Sequence, residues 1–119
     1  MKIYRIIKRI PSDTDYCFEF GLNADHPVYV GHFPDRAITP GVLLASMVQD
    51  LMEEVKEVKL QLIEAKNIKF MQPLHPDQNE TYTLNFTVEE VESNYKVKAI
   101  ATIGAVPYFK LSATFEPRS

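Results

Sequence analysis

The sequence predicts an α+β fold in which a curved antiparallel sheet wraps one long central helix. Three observations carry that prediction. Residues 42–55 are helical in pattern and apolar over most of the surface, so such a helix needs cover on most sides. After it, the chain reads as a run of strands with period-two alternation, as in "TYTLNFTVEEV" and "YKVKAIATIGAV". Short turns between those strands favour antiparallel neighbours.

The elements follow in order. "MKIYRIIKRI" is rich in Ile and Tyr, ends at Pro11, and reads as a strand, with a short amphipathic helix as the alternative. "SDTD" is a turn. "YCFEFGLN" sets Tyr16, Phe18, Phe20 and Leu22 against Cys17, Glu19 and Gly21, the pattern of a half-buried strand. Residues 23–39 lack periodicity and form a long loop, a feature that in a compact domain points to function. Thr39 suits the helix N-cap, and Pro40 the first helical position, where its missing N–H costs nothing. The polar residues of the helix collect on one stripe: Ser46, Gln49, Asp50, Glu53 and Glu57. "AKNIKFMQPL" is a further strand closed by the turn "HPDQNE", "SN" turns the next hairpin, and "YFKLSATFE" ends the chain.

Composition narrows the function. A chain of 119 residues suits one domain, residues 1–119, that buries roughly two-thirds of its unfolded surface. Formal net charge is −3, which gives nucleic-acid binding no bulk support. Cys17 is the one cysteine, so no internal disulfide forms, in keeping with a reducing compartment. The start lacks an uninterrupted apolar stretch, and "ITPGVLLASMV" falls short of the roughly 18 residues of a spanning helix. A soluble, cytoplasmic protein is expected. The three histidines have no metal-ligand spacing, and neither a metal nor a cofactor is expected.

"GHFPDRAITPGVLL", residues 31–44, resembles the signature of the 3-hydroxyacyl-[acyl carrier protein] dehydratases of fatty-acid synthesis. Members carry Gly-His-Phe-Pro and then Pro-Gly-Val-Leu opening a helix at this spacing. "NIKFMQPLHPDQ" is similar to the family's strand ending in a proline turn, and the resemblance covers nearly the whole chain. It implies a hotdog fold and a homodimer or a multiple of one. It also implies acyl carrier protein thioesters as substrates in fatty-acid or related lipid and polyketide synthesis.

The implied chemistry assigns roles. His32 takes the proton beside the thioester carbonyl, a task suited to a group titrating near neutral pH. Gly41 and Val42 offer backbone N–H groups to the enolate oxygen at the positive end of the helix dipole. Phe33, Leu43 and Met47 are candidates to line an acyl tunnel, though core packing explains them as well.

The sequence departs from the family at the acid. The family's Glu or Asp stands fourteen positions after the histidine, where this chain has Ser46. A one-residue gap that aligns Gln49 with the family's helix glutamine puts Ala45 there instead. Asp50 is the nearest carboxyl on the stripe, about 6 Å further along at 1.5 Å per residue. It reaches the site only through water or a shifted substrate.

Other readings stay open. The stripe is the ordinary solvated face of an amphipathic helix, His26 and His75 are surface turn residues, and Ser46 lacks the surroundings of a nucleophile. Lys2, Arg5, Lys8, Arg9 and Arg36 are solvated charges that an acidic carrier could meet. A non-catalytic subunit that binds an acyl chain or pairs with an active partner fits the missing acid. A hotdog thioesterase using a water activated by Asp50 or Glu53 is a third expectation.

Overall fold

The computed structural model describes residues 2–10, 15–29, 39–76 and 80–118. Strands β1 (Tyr4–Ile10) and β2 (Tyr16–Leu22) are followed by a 3₁₀ turn at Pro27–Tyr29 and helix α1 (Gly41–Lys56). Then come β3 (Leu60–Phe70), β4 (Tyr82–Val91), β5 (Asn94–Ile103) and β6 (Val106–Pro117). All pairings are antiparallel and the sheet order is β1-β2-β4-β5-β6-β3, so β1 and β3 are its edges. The fold is α+β and of the hotdog type.

Period two decides which side chains meet the helix. Phe18, Phe20 and Leu22 of β2 share the core with Leu84 and Phe86 of β4, Val97 of β5, and Phe109, Leu111 and Phe115 of β6. Tyr82 and Phe86 stack on Phe20 and Phe18 with ring centroids 5.2 and 5.8 Å apart. Leu44, Met47, Val48, Leu51 and Met52 of α1 fill the hollow of the sheet.

Three expectations need correction, and the first strand stands as read. Pro40 is the N-cap, with φ −64° and ψ 139°, and α1 starts at Gly41, because Thr39 turns its hydroxyl away from the helix. β3 begins at Leu60, well before Ala65: Glu57 ends the helix in the left-handed region (φ 54°) without the glycine that marks such a cap. The hairpin after β4 turns on Glu92 and Ser93 rather than on Ser93 and Asn94, with φ of 52° and 70°. Asn94 pairs with Val91 across it. β1 is a strand, and a register shift between Ile6 and Lys8 breaks its alternation and leaves Ile7 exposed. At Gly104–Ala105 the positive φ, 58°, falls on the glycine.

Candidate functional site

Among the described residues no side chain caps the start of α1, its first turn carries no acidic residue, and the Pro40 carbonyl accepts the Leu43 N–H at 3.1 Å. Helix geometry leaves the amides of Gly41 and Val42 without intrahelical acceptors. They carry the positive end of the helix dipole, and the first turn itself supplies no carboxylate to offset it.

An open, largely apolar cavity of about 410 Å³ lies against this end, between Thr39, Pro40 and Gly41 on one side and Phe70, Met71 and Pro73 on the other. Gly41 sits at a close approach, which a side chain there would tighten. A β-carbon there would stand 3.1 and 3.2 Å from two ring carbons of Phe70 and 3.4 Å from a methyl of Ile68. Phe70 is itself oriented by Phe109, ring centroids 5.3 Å apart. A second, more polar cavity of about 480 Å³ adjoins the first through Gln72 and Pro73, with His75, Glu80 and Tyr108 on its walls.

The expected site residues separate into groups. His32 and Phe33, with Arg36, lie outside the described residues. Gly41 and Val42 are at the helix start, and Val42 is 69% exposed. Leu43 is half-buried, and Met47 is fully buried in the core. Ser46 is exposed while Ala45 is buried, so of the two alignments only the one without a gap brings its position to the open face.

The polar stripe is not simply a solvated face. The Asp50 carboxylate accepts the Tyr4 hydroxyl at 3.1 Å and lies 3.7 Å from the Lys2 ammonium. Burial, with Asp50 adding to it, raises the Tyr4 phenol far above its ordinary value, so it stays a donor. Gln49 donates to the Leu60 carbonyl at 3.0 Å and Glu53 accepts the Leu60 N–H at 2.7 Å, so together they clamp the start of β3 to the helix. Sequence reasoning missed this clamp, because both residues look like surface polars.

Most of the basic residues near the N-terminus are likewise engaged. Lys2 faces Asp50, Arg5 donates to the Leu22 carbonyl at 2.8 Å, and Arg9 pairs with Glu54, while Lys8 is exposed. His26 is half-buried rather than superficial and accepts the Val28 N–H on Nδ1 at 3.1 Å; His75 is also half-buried.

A helix held in a curved six-stranded antiparallel sheet, with a bare N-terminus beside an apolar cavity, defines a hotdog protein. Residues 8–105 match the family model of the ApeI-like proteins, described as ApeI dehydratase, and the chain belongs to that family. Among solved structures it is similar to the dehydratase heterocomplex ApeI:P from Xenorhabdus doucetiae. That match has 18% identity, a TM-score of 0.73, and covers 96% of this chain and 97% of that one. It is also similar to a hypothetical thioesterase with coenzyme A from Streptococcus pneumoniae TIGR4, at 13% identity and a TM-score of 0.64, covering 98% and 88%. Cj0977, a sigma28-regulated virulence protein from Campylobacter jejuni, matches at 13% identity and a TM-score of 0.66, covering 99% and 85%. None of the curated proteins matches. Among the described residues no helix is long and apolar enough to cross a membrane.

Proposed function

We propose that the protein is a hydro-lyase that removes water from 3-hydroxyacyl thioesters of acyl carrier protein. The observation that carries this reading is the uncapped start of α1 opening onto an apolar cavity. His32 takes a proton from the carbon beside the thioester carbonyl. The amides of Gly41 and Val42 hold the enolate oxygen that results. The C–O bond to the 3-hydroxyl then breaks, the hydroxyl takes up a proton and leaves as water, and a 2-enoyl thioester remains. Half-buried Leu43 borders the acyl chain, whereas Met47 is fully buried and serves the core, the packing alternative weighed for it, and the chain works as one domain.

The proton for the leaving hydroxyl is the weak step. Position 46 is serine, Asp50 is held by Tyr4 and Lys2, and Glu53 is held by the Leu60 amide. No described carboxyl of the stripe is both free and at the family's position, so the reaction is expected to be slow in this chain alone. The engagement of Asp50 and Glu53 also counts against water activation for thioester hydrolysis.

A homodimer is part of the proposal. Edge strand β3 is eleven residues long and exposed from Gln61 to Phe70, including Leu62, Ile63, Ile68 and Phe70. A bare apolar edge of this length invites a second strand, and two identical antiparallel edges pair about a twofold axis.

The missing carboxyl favours a second reading, a subunit whose site is completed by a different, acid-bearing hotdog chain. The similar ApeI:P is a heterocomplex, which supports it. The test is to offer 3-hydroxyacyl and plain acyl thioesters of acyl carrier protein side by side. Water loss supports the leading reading, hydrolysis of the plain thioester overturns it, and loss of neither favours the second. A stable monomer by sedimentation at micromolar concentration would remove the shared site.

A further inference from the structure

The outer face of the sheet gathers three lysines that neither the core nor the helix start uses. Lys69 of β3 stands directly opposite Lys110 of β6. Lys110 is opposite Ile100 of β5, and Lys98, two residues back along β5, is opposite Ser112 of β6 and Thr87 of β4. All three lysines are exposed, while their strand neighbours Val97, Ala99, Phe109 and Leu111 are buried. Alternation therefore puts the ammonium groups on the face turned away from α1. Among the described residues the ion pairs are those of Lys2, Arg9 and Lys56, and none of these three lysines takes part in one.

Like charges directly opposite each other on paired strands are destabilising, yet Lys69 and Lys110 stand so. The acids of this face lie elsewhere on it. Glu89 is opposite Lys96, Glu64 is opposite Thr114, and Glu116 bonds Gln61, all toward the far ends of the strands, while Glu19 of β2 is opposite Lys8. An open depression of about 400 Å³ lies between Lys98 and Lys110, with Asn85, Thr87 and Ser112 as polar partners and Asp15 on its rim. Two strand spacings and two residues separate the backbones of Lys69 and Lys98, a span of about 12 Å. That matches some two turns of a helix carrying a stripe of carboxylates. The patch also adjoins the cavity at the start of α1. Phe70, which follows Lys69, lines that cavity, and Phe109, which precedes Lys110, orients Phe70.

We propose that Lys69, Lys98 and Lys110 dock the acyl carrier protein, an acidic helical partner, so that its thioester arm rounds the end of β3 into the cavity. This rests on the reading of the substrate as a carrier-borne thioester. It moves the carrier surface away from the N-terminal basic residues, most of which are engaged within the chain. Pairing through the β3 edge extends the sheet sideways and leaves this outer face open. A small protein covers the lysines alone, whereas a broad anionic surface would also meet Glu64, Glu89 and Glu116.

The test is the triple variant Lys69→Gln/Lys98→Gln/Lys110→Gln beside a control of equal charge change, Lys8→Gln/Lys59→Gln/Arg118→Gln, at exposed residues off the patch. Binding of holo acyl carrier protein is read by fluorescence anisotropy at low salt, which needs no turnover. The triple variant should raise Kd about tenfold and the control should leave it near wild type, since complementary charge acts through the patch that it faces. KM for the carrier-borne 3-hydroxyacyl thioester should rise in step, with kcat and the rate on the matching pantetheine thioester unchanged. The thermal midpoint should not fall, because a like-charge pair has been removed. Carrier binding that the triple variant weakens supports the docking surface even where wild type dehydrates nothing, a result that sinks the reaction alone. Dehydration of the pantetheine thioester with no carrier binding by wild type overturns the docking surface alone. Equal losses in triple variant and control, or unchanged carrier binding, also overturn it. So does loss of binding to phosphatidylglycerol vesicles with carrier binding intact, which would assign the lysines to a membrane surface.

Discussion

The two ends of α1 are built to opposite ends. At the C-terminal end, Gln49 and Glu53 hold both backbone groups of Leu60, Glu57 closes the helix in the left-handed region, and its N–H returns to the Glu53 carbonyl. Lys56 in the last turn lies 5.7 Å from the rings of both Tyr16 and Tyr95 and 3.6 Å from a Glu90 oxygen. Its positive charge suits the negative end of the dipole. At the N-terminal end a proline stands where a capping side chain would contribute about 1 kcal/mol. The first turn carries no acid, and apolar Val42 is left exposed. One helix thus has an end finished for stability and an end left open, and such local departures from the best-folding choice are expected at functional sites.

The strongest way to break that contrast is through the chemistry proposed for the N-terminal end. His32→Ala should lower dehydration on the order of a hundredfold, the scale of a lost general base, and leave the thermal midpoint nearly unchanged. Steady-state rates on a 3-hydroxyacyl thioester check it, and wild-type turnover in the variant would remove His32 from the mechanism. Ser46→Glu comes next. It restores a carboxyl at the family's position on the exposed face, and an apolar setting would raise its pKa and keep a proton to give. About a tenfold rise in rate is expected. Asp50→Asn should change the rate less, because Asp50 already serves Tyr4 and Lys2. A dead Asp50→Asn beside a neutral Ser46→Glu would mean that the acid has moved along the helix.

The contrast also explains what could be read in the sequence. Sheet strands with one buried face announce themselves by alternation, so Phe18, Phe20 and Leu22 and then Leu84 and Phe86 were legible as inward residues. β3 was legible only in its second half. After buried Leu60, the residues "QLIE" are exposed on both faces, and register shifts between Leu62 and Glu64 and between Ala65 and Asn67 erase the period. At the site, the start of α1 was legible to within one residue because proline's fixed φ and missing N–H confine it to the beginning of a helix. The Gln49–Glu53 clamp and the hydrogen bond between the Tyr29 and Thr39 hydroxyls were not, since polar residues that reach distant backbone or side-chain atoms look like any other surface or loop polar. The nearest sequence signal for the clamp is that both sit one turn apart on the flank that meets β3.

A test at the closed end sharpens the same comparison. Glu53→Ala leaves the buried Leu60 N–H without its acceptor, which should cost about 1–3 kcal/mol in urea unfolding. Glu53→Gln keeps an acceptor oxygen and should recover most of that loss. Neither variant should alter kcat at a temperature where the protein is folded, since the clamp lies some three turns from Gly41. A fall in kcat that tracks the loss of stability would mean that the two ends are coupled and the contrast is overstated.

The smallest effect is at Lys56. Lys56→Met keeps an unbranched stem against Tyr16 and Tyr95 but removes the charge, and should cost about 1 kcal/mol, since exposed cation–π contacts contribute roughly 0.5–1 kcal/mol. The Glu90 partner is 63% exposed and adds little beyond that. The pH dependence separates this charge from ordinary packing. A hydrogen bond with Tyr16 raises the Lys56 ammonium above its ordinary value of 10.5, with burial acting in the opposite sense. A group whose pKa is raised on folding stabilises fully below its unfolded value and loses that contribution as pH rises through the folded one. The stability gap between wild type and variant should therefore be flat from about pH 6 to 9 and narrow only above about 10.5. A gap that already closes near pH 8 would mean that the ammonium is not what holds the C-terminal end. A gap that survives in molar salt would assign it to the rings rather than to Glu90, because screening acts on the exposed ion pair first.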